Sequence, residues 1–420
     1  MRRAAAAVAA LIALAGCGSD DGPRTDDVVD SVPADARAYL HLDRDAEDWQ
    51  VVRDALDDLP ALEGALATLL PRSAEPPAEG EVGLALLPGQ EEALAVGPDD
   101  PDAPTSLAES DEYTALLDEL PDGRFAHAYL APAAVRALRV PDRTTRSAAG
   151  AADVSEDLLR VHAVARHSNA GGGCPVAHSG SDLVDLTDPQ AALYVEVASL
   201  RCMLESLTGT FPSVDAAFAE FTRAAEARGE LSVPDDLLPL LDRPAALSIT
   251  PGDAAPVLTL VLDGVDEAEA LDVLALLQPG LIDLIGARRF GQAPTFGSVD
   301  VEGVTVATAQ VAPGLQLSYA AWDGRLVVST ALDGIAAARR AEGLGGAAGF
   351  DAVVGDSSSP LSALLFIDLQ QLLTLGEQAG LAQDPRYLAV RDDLHELGAV
   401  GVVVSREEEF TTAELTFQIP

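Results

Sequence analysis

One apolar block recurs along this 420-residue chain: a proline leads into an alanine-containing strand, which hands over to a helix. Pro33 opens the first copy, through Ala38-Tyr39-Leu40-His41-Leu42. Pro189 opens another through Ala191 to Val197, and Pro360 a third through Ala363 to Asp368. A looser copy runs from Pro121 through Phe125-Ala126-His127-Ala128-Tyr129-Leu130. Between copies the apolar period lengthens to that of a helix. Behind the capping residue Asp45, Trp49, Val52, Leu56 and Leu59 recur at helical spacing. The same period predicts helices over 61–70, 110–120, 131–138, 213–228, 334–341 and 384–397. Another is capped by Asp266 with Glu269 and runs to Leu277.

Tight turns separate the remaining apolar runs. Pro88-Gly89 lies between 82–87 and 92–96, and Pro251-Gly252 between 247–250 and 257–262. Glu302-Gly303 divides 299–301 from 304–306, and Asp323-Gly324 divides 315–322 from 326–330. Further strands are predicted over 158–166, 399–405 and 411–419. Strands joined this way pair antiparallel, and the intervening helices must cover the sheet. The predicted class is therefore α+β: two related halves of antiparallel, hairpin-rich sheet with helices packed on one face. The shorter half spans 32–140 and the larger 189–420, joined by a polar, Gly-rich connection at 141–188 that holds one strand.

Composition narrows the function. Apolar residues make up 48% of the chain, enough for a large core, but aromatics only 4%, so Leu, Val and Ala must fill it. The net charge is −42 and lysine is absent, which repels phosphate backbones and argues against nucleic acid as a partner. Met1-Arg2-Arg3 is a positive start, residues 4–14 are apolar but too few to span a bilayer, and Leu14-Ala15-Gly16-Cys17 follows. The last four residues resemble the lipobox of bacterial lipoproteins. That resemblance implies a signal peptide over 1–16, diacylglyceryl attachment at Cys17 and anchoring on the outer face of the cytoplasmic membrane. Residues 17–31 are polar and acidic and read as a tether.

Two stretches in this chain resemble hallmarks of an uncharacterised family of actinobacterial envelope lipoproteins, which carries a domain-of-unknown-function label. They are Val32 to Asp43, and Tyr319-Ala320-Ala321-Trp322-Asp323-Gly324-Arg325-Leu326-Val327-Val328-Ser329-Thr330. The resemblance brings no activity with it.

Candidate chemistry is sparse. Gly355-Asp356-Ser357-Ser358 and Asp392-Asp393-Leu394-His395 resemble the serine and histidine pieces of one esterase family, but the oxyanion blocks between them are missing. His162, His167, Cys174 and His178 form a loose His/Cys group whose two strand histidines have opposite parity. Asp43, Asp45, Glu47 and Asp48 lack the glycine and glutamate of a calcium loop and suit a helix N-terminus. Cys174 and Cys202 can form a disulfide in an oxidising compartment. The sequence thus predicts no catalytic residue, metal or cofactor. Its expectation is a lipid-anchored, non-enzymatic envelope protein binding an unknown protein or small-molecule partner. The alternatives are a hydrolase using Ser357 and His395, and a transporter's solute-binding lipoprotein.

Overall fold

The structure, a computed structural model, describes residues 26, 28–57, 59–60, 80–90, 93–122, 124, 126–138, 144–155, 158–168, 182–228, 231–253, 255–286, 295–312, 315–341, 343–355, 361–407 and 409–419. They divide into two compact units, one drawn from Met1–Gly172 with Gly376–Pro420, the other from Gly173–Leu375. Both are α+β with antiparallel sheets, as the hairpin pattern predicts. Strands are numbered in chain order.

In the first unit these are β1 (Ala38–Asp43), β2 (Glu81–Leu86), β3 (Leu94–Val96), β4 (Ala126–Leu130), β5 (Thr145–Ser155), β6 (Leu158–His167), β15 (Ala399–Arg406) and β16 (Phe410–Gln418). Their order is β15-β16-β6-β5-β4-β1-β2-β3. With β2 on one side and β4 on the other, β1 is central, and its first five residues are all buried. Helices cover both faces, whereas the hairpin order alone puts them on one. The helix Glu47–Asp57 sets Val52 against Leu42, Val82 and Ala126. On the opposite face the helix Asp111–Leu117 sets Tyr113 and Leu116 against Tyr39, Ala85 and Tyr129. The unbroken apolar run of the first Pro-opened copy is the signature of such double burial.

Three expectations change here. The polar connection contains β5, an eleven-residue strand, in addition to β6. Its Ser-Ala-Ala-Gly-Ala-Ala core has weak strand propensity and is fixed by pairing with β4 and β6. The C-terminal hairpin belongs to this unit and not to the larger half, because β16 pairs with β6 from Phe410↔Arg166 to Gln418↔Leu158. The segment read as a tether is part of the body from Asp26 on. Val28 and Val29 are buried, and the carbonyls of Asp30 and Val32 accept the N–H groups of Ala103 (2.9 Å) and Leu107 (2.7 Å).

The second unit contains β7 (Leu193–Val197), β8 (Ala245–Thr250), β9 (Val257–Asp263), β10 (Gly297–Val301), β11 (Val304–Ala312), β12 (Leu315–Trp322), β13 (Arg325–Ser329) and β14 (Ala363–Asp368), in the order β10-β11-β12-β13-β9-β8-β7-β14. Two of its turns, Glu302-Gly303 (φ 52° and 80°) and Asp323-Gly324 (φ 51° and 74°), hold both central residues at positive φ. That is the turn geometry whose twist matches the strands it joins. The helices Leu200–Thr210 and Glu267–Gly286 pack Leu200, Met203 and Ala270 against Val197, Leu262 and Leu326. The helix Leu332–Arg340 lies on the other face, where Gly334 approaches Thr259 and Ser329. Back in the first unit, the helix predicted over 384–397 is two short ones, Pro385–Leu388 and Arg391–Glu396. They are separated at Val390, whose backbone is not helical (φ −125°, ψ 5°).

Candidate functional site

Antiparallel pairing of β1 with β4 sets Tyr39 opposite Tyr129 and His41 opposite His127. Alternation along each strand places all four side chains on one face. The next strand, β2, contributes Gly83 opposite His41. A Cβ there would stand 2.7 Å from Val28 Cγ1 and 2.9 Å from the Tyr39 ring, so the N-terminal segment lies across the sheet only because position 83 is glycine. That segment brings Asp26 over the two histidines. The Asp26 Oδ1 accepts the N–H groups of Val28 and Val29, both at 3.1 Å, which fixes the carboxylate as it enters the short helical turn Val29–Ser31.

The result is a buried polar cluster. The Tyr39 hydroxyl donates to both Asp26 oxygens at 3.0 Å. His127 Nε2 lies 3.2 Å from Asp26 Oδ2 and 2.8 Å from the Tyr113 hydroxyl. His41 Nε2 lies 3.7 Å from Asp26 Oδ1 and 3.6 Å from Glu81 Oε2. His41 is only 5% exposed, yet neither of its ring nitrogens has a hydrogen-bond partner, and neither does Glu81 Oε2. The cluster walls a cavity of about 160 Å³ to which Arg124 adds a cation and Val29 and Leu117 an apolar side.

Electrostatics follow from this geometry. Burial alone would raise the Asp26 carboxyl, but the hydrogen bond from His127, the charges of His41 and His127 and the Tyr39 hydroxyl together hold it below the ordinary carboxylate value. Burial lowers His127, although Asp26 opposes it. Burial, with the Asp26 charge next, raises Tyr39 and Tyr113. Both hydroxyls therefore stay protonated and act as donors, not nucleophiles. Tyr129, under the same layer, is pushed up to about 12 by burial and by Glu112. No serine, threonine or cysteine lines the cavity among the described residues. The arrangement is suited to holding a cation or a polar solute.

The residues singled out in the sequence lie elsewhere. Cys17, Cys174, His178 and Ser357 fall outside the described residues. Cys202 is disulfide-bonded, with its partner outside the described residues, and its N–H donates to the helix-capping Ser199 hydroxyl at 3.2 Å. His162 is held by Asp153 at 2.7 Å, whereas His167 is bound to Thr411 at 2.6 Å. Among the carboxylates considered for calcium, Asp43 and Asp45 accept backbone N–H groups of Asp45 (3.0 Å) and Gly80 (3.1 Å).

His395 lies 3.5 Å from Glu377, which also accepts from Arg391 (2.6 Å) and Tyr387 (2.6 Å). Chiefly because of the Arg391 and Tyr387 hydrogen bonds, Glu377 is pushed down to about 2. Its folded value is below its unfolded one, so its contribution to stability is complete above the unfolded value and lost as pH falls towards about 2. Carboxyl carbon NMR titration will show Glu377 still ionised at pH 3, and Arg391→Gln will return it towards the ordinary range.

No protein family model matches the chain, and no curated protein matches it. Among solved structures it is similar to crystal forms of TP0453. Form IV is 11% identical over 57% of this chain and 80% of that one, with a TM-score of 0.27. Form III is 10% identical over 56% of this chain and 92% of that one, also at 0.27. Likenesses this slight assign neither family nor activity to the chain.

Proposed function

We propose that this chain is a lipid-anchored protein of the cell envelope whose body binds a ligand without transforming it. The observation that carries the binding reading is the Asp26-His41-His127 cavity. It is partly open to solvent, carries carboxylates, imidazoles and a guanidinium that can donate or coordinate, and among the described residues no serine, threonine or cysteine lines it. The address rests on Arg2-Arg3, the short apolar stretch and Cys17 after Leu14-Ala15-Gly16, and on the resemblance to actinobacterial envelope lipoproteins. Among the described residues no helix is long and apolar enough to cross a membrane. Two acyl chains supply stable attachment where one does not. With the body beginning at Asp26, only eight residues (18–25) separate it from the acylated cysteine. Fully extended, that connection from Cys17 to Asp26 spans at most about 30 Å, which keeps the body close to the lipid surface.

Growth on an alkyne fatty acid tests the address. Label will enter the wild-type protein, will be absent from Cys17→Ser, and the variant will move from the membrane to the soluble fraction. Equal labelling of both proteins overturns the anchor. Non-reducing peptide mapping of the same material will find Cys202 joined to Cys174. A Cys17–Cys202 peptide would leave no thiol to acylate.

A further inference from the structure

We infer that Asp26, His41 and His127 form a binding site for a single divalent transition-metal ion of the zinc, cobalt or nickel class, with Glu81 beside it as a second carboxylate. This rests on the binding half of the function proposed above and not on the anchor, so the labelling experiment and the one below can fail separately.

One ligand atom from each of Asp26, His41 and His127 comes within 4.8 Å of the others. Around a tetrahedral ion with bonds of about 2.0–2.1 Å, neighbouring ligand atoms stand roughly 3.3 Å apart. The Asp26 carboxylate reaches both imidazoles at about that spacing, with Oδ2 3.2 Å from His127 Nε2 and Oδ1 3.7 Å from His41 Nε2. A second, independent observation is the state of His41. A buried imidazole whose nitrogens make no hydrogen bond is costly, and cores satisfy such groups with few exceptions. A cation on Nε2 removes half of that cost. It also sets a positive charge beside Glu81 Oε2, which is buried without a hydrogen bond 3.6 Å from His41 Nε2 and stays outside the three ligands.

Charge agrees as well. Asp26 and Glu81 match the charge of a divalent ion, the two imidazoles bind it as neutral ligands, and Asp43 and Arg124, which also line the cavity, offset each other. Outer contacts are in place, because Tyr39 donates to both oxygens of Asp26 and orients the carboxylate. The ion would replace Tyr113 at His127 Nε2, and that hydroxyl has Asp26 Oδ2 at 3.5 Å as its other acceptor. Mixed nitrogen and oxygen donors favour the zinc class over calcium and magnesium, which take oxygen. Three protein ligands leave a position open towards the cavity, where a solute or water can bind.

Titration of the metal-free full chain with cobalt chloride, followed in the visible, tests this. The expected result is one equivalent bound with the intense d–d absorption of a four- or five-coordinate ion, displaced by one equivalent of zinc chloride and unaffected by calcium or magnesium chloride. His41→Gln and His127→Gln will each weaken binding by more than the about 10–100-fold that loss of an outer-shell partner costs. Far-UV circular dichroism will establish that each variant is folded. In the wild-type protein, zinc will shift the imidazole nitrogen signals of His41 and His127 and leave those of His162 and His395 in place, a readout that holds even where a variant does not fold. Absence of binding at millimolar metal overturns the inference. So does binding that shifts other histidines, or that survives in both folded variants.

Discussion

Replacing Tyr39 by alanine lowers the unfolding free energy of the first unit by about 3–5 kcal/mol, and replacing it by phenylalanine by about 1–3 kcal/mol. The two values separate the ring from its hydroxyl. The ring is 1% exposed on the central strand and meets Tyr113 and His127 edge-on, with centroids 6.3 and 5.8 Å away. Truncation to alanine removes that packing and opens a cavity beneath the N-terminal segment. Phenylalanine keeps the volume but takes both Asp26 oxygens' hydroxyl donor away, leaving a buried carboxylate with fewer partners. Urea denaturation with amide hydrogen exchange on β1 and β4 measures both. If phenylalanine proves as stable as tyrosine, the hydroxyl does not hold Asp26 in place, and the oriented carboxylate of the candidate site is lost with it.

Much of the architecture could be read from the chain. The Asp323-Gly324 turn, the helix behind Asp45 and the Pro-opened strands stand where the pattern puts them, because each depends on local chemistry. What failed was non-local. β5 is built from small residues with little intrinsic strand preference and exists because β4 and β6 hold it from both sides. β16 lies far along the chain from the β6 strand it pairs with, and no local pattern reports that distance. Asp26 was hidden for a related reason. It lies in an acidic stretch that resembles solvated linker, and its burial depends on Gly83 giving room to Val28.

The site did leave one trace in the sequence. Tyr-x-His in the first Pro-opened copy and His-x-Tyr in the looser one are mirror images. Two such strands paired antiparallel bring tyrosine to tyrosine and histidine to histidine. The apolar residues of both copies mark them as strands, and a single polar residue within each does not by itself mark a site. What singles out His41 is that neither ring nitrogen makes a hydrogen bond, which is visible only in three dimensions.

Gly334→Ala is the second substitution expected to cost heavily, and here two effects oppose each other. Alanine in the helix Leu332–Arg340 gains at most about 1 kcal/mol of helix propensity over glycine. Its Cβ, however, would fall 2.2 Å from Ser329 Oγ and 2.3 Å from Thr259 Oγ1. Those two hydroxyls are buried and bonded to each other at 3.0 Å across β9 and β13, so neither can turn away without losing its partner. Overpacking costs about 1–3 kcal/mol, and a separated buried pair a similar amount. The clash therefore wins, and the second unit loses about 2–4 kcal/mol. Since the helix cannot retreat without exposing Ile335 and Ala338, which are buried against the same face, relief must come from the strand. Adding Ser329→Gly to Gly334→Ala will recover more than about 1 kcal/mol relative to the sum of the single changes, the coupling expected of residues in contact. A stabilised Gly334→Ala protein would mean that propensity outweighs the clash, and that the helix does not approach the sheet as closely as 334 requires.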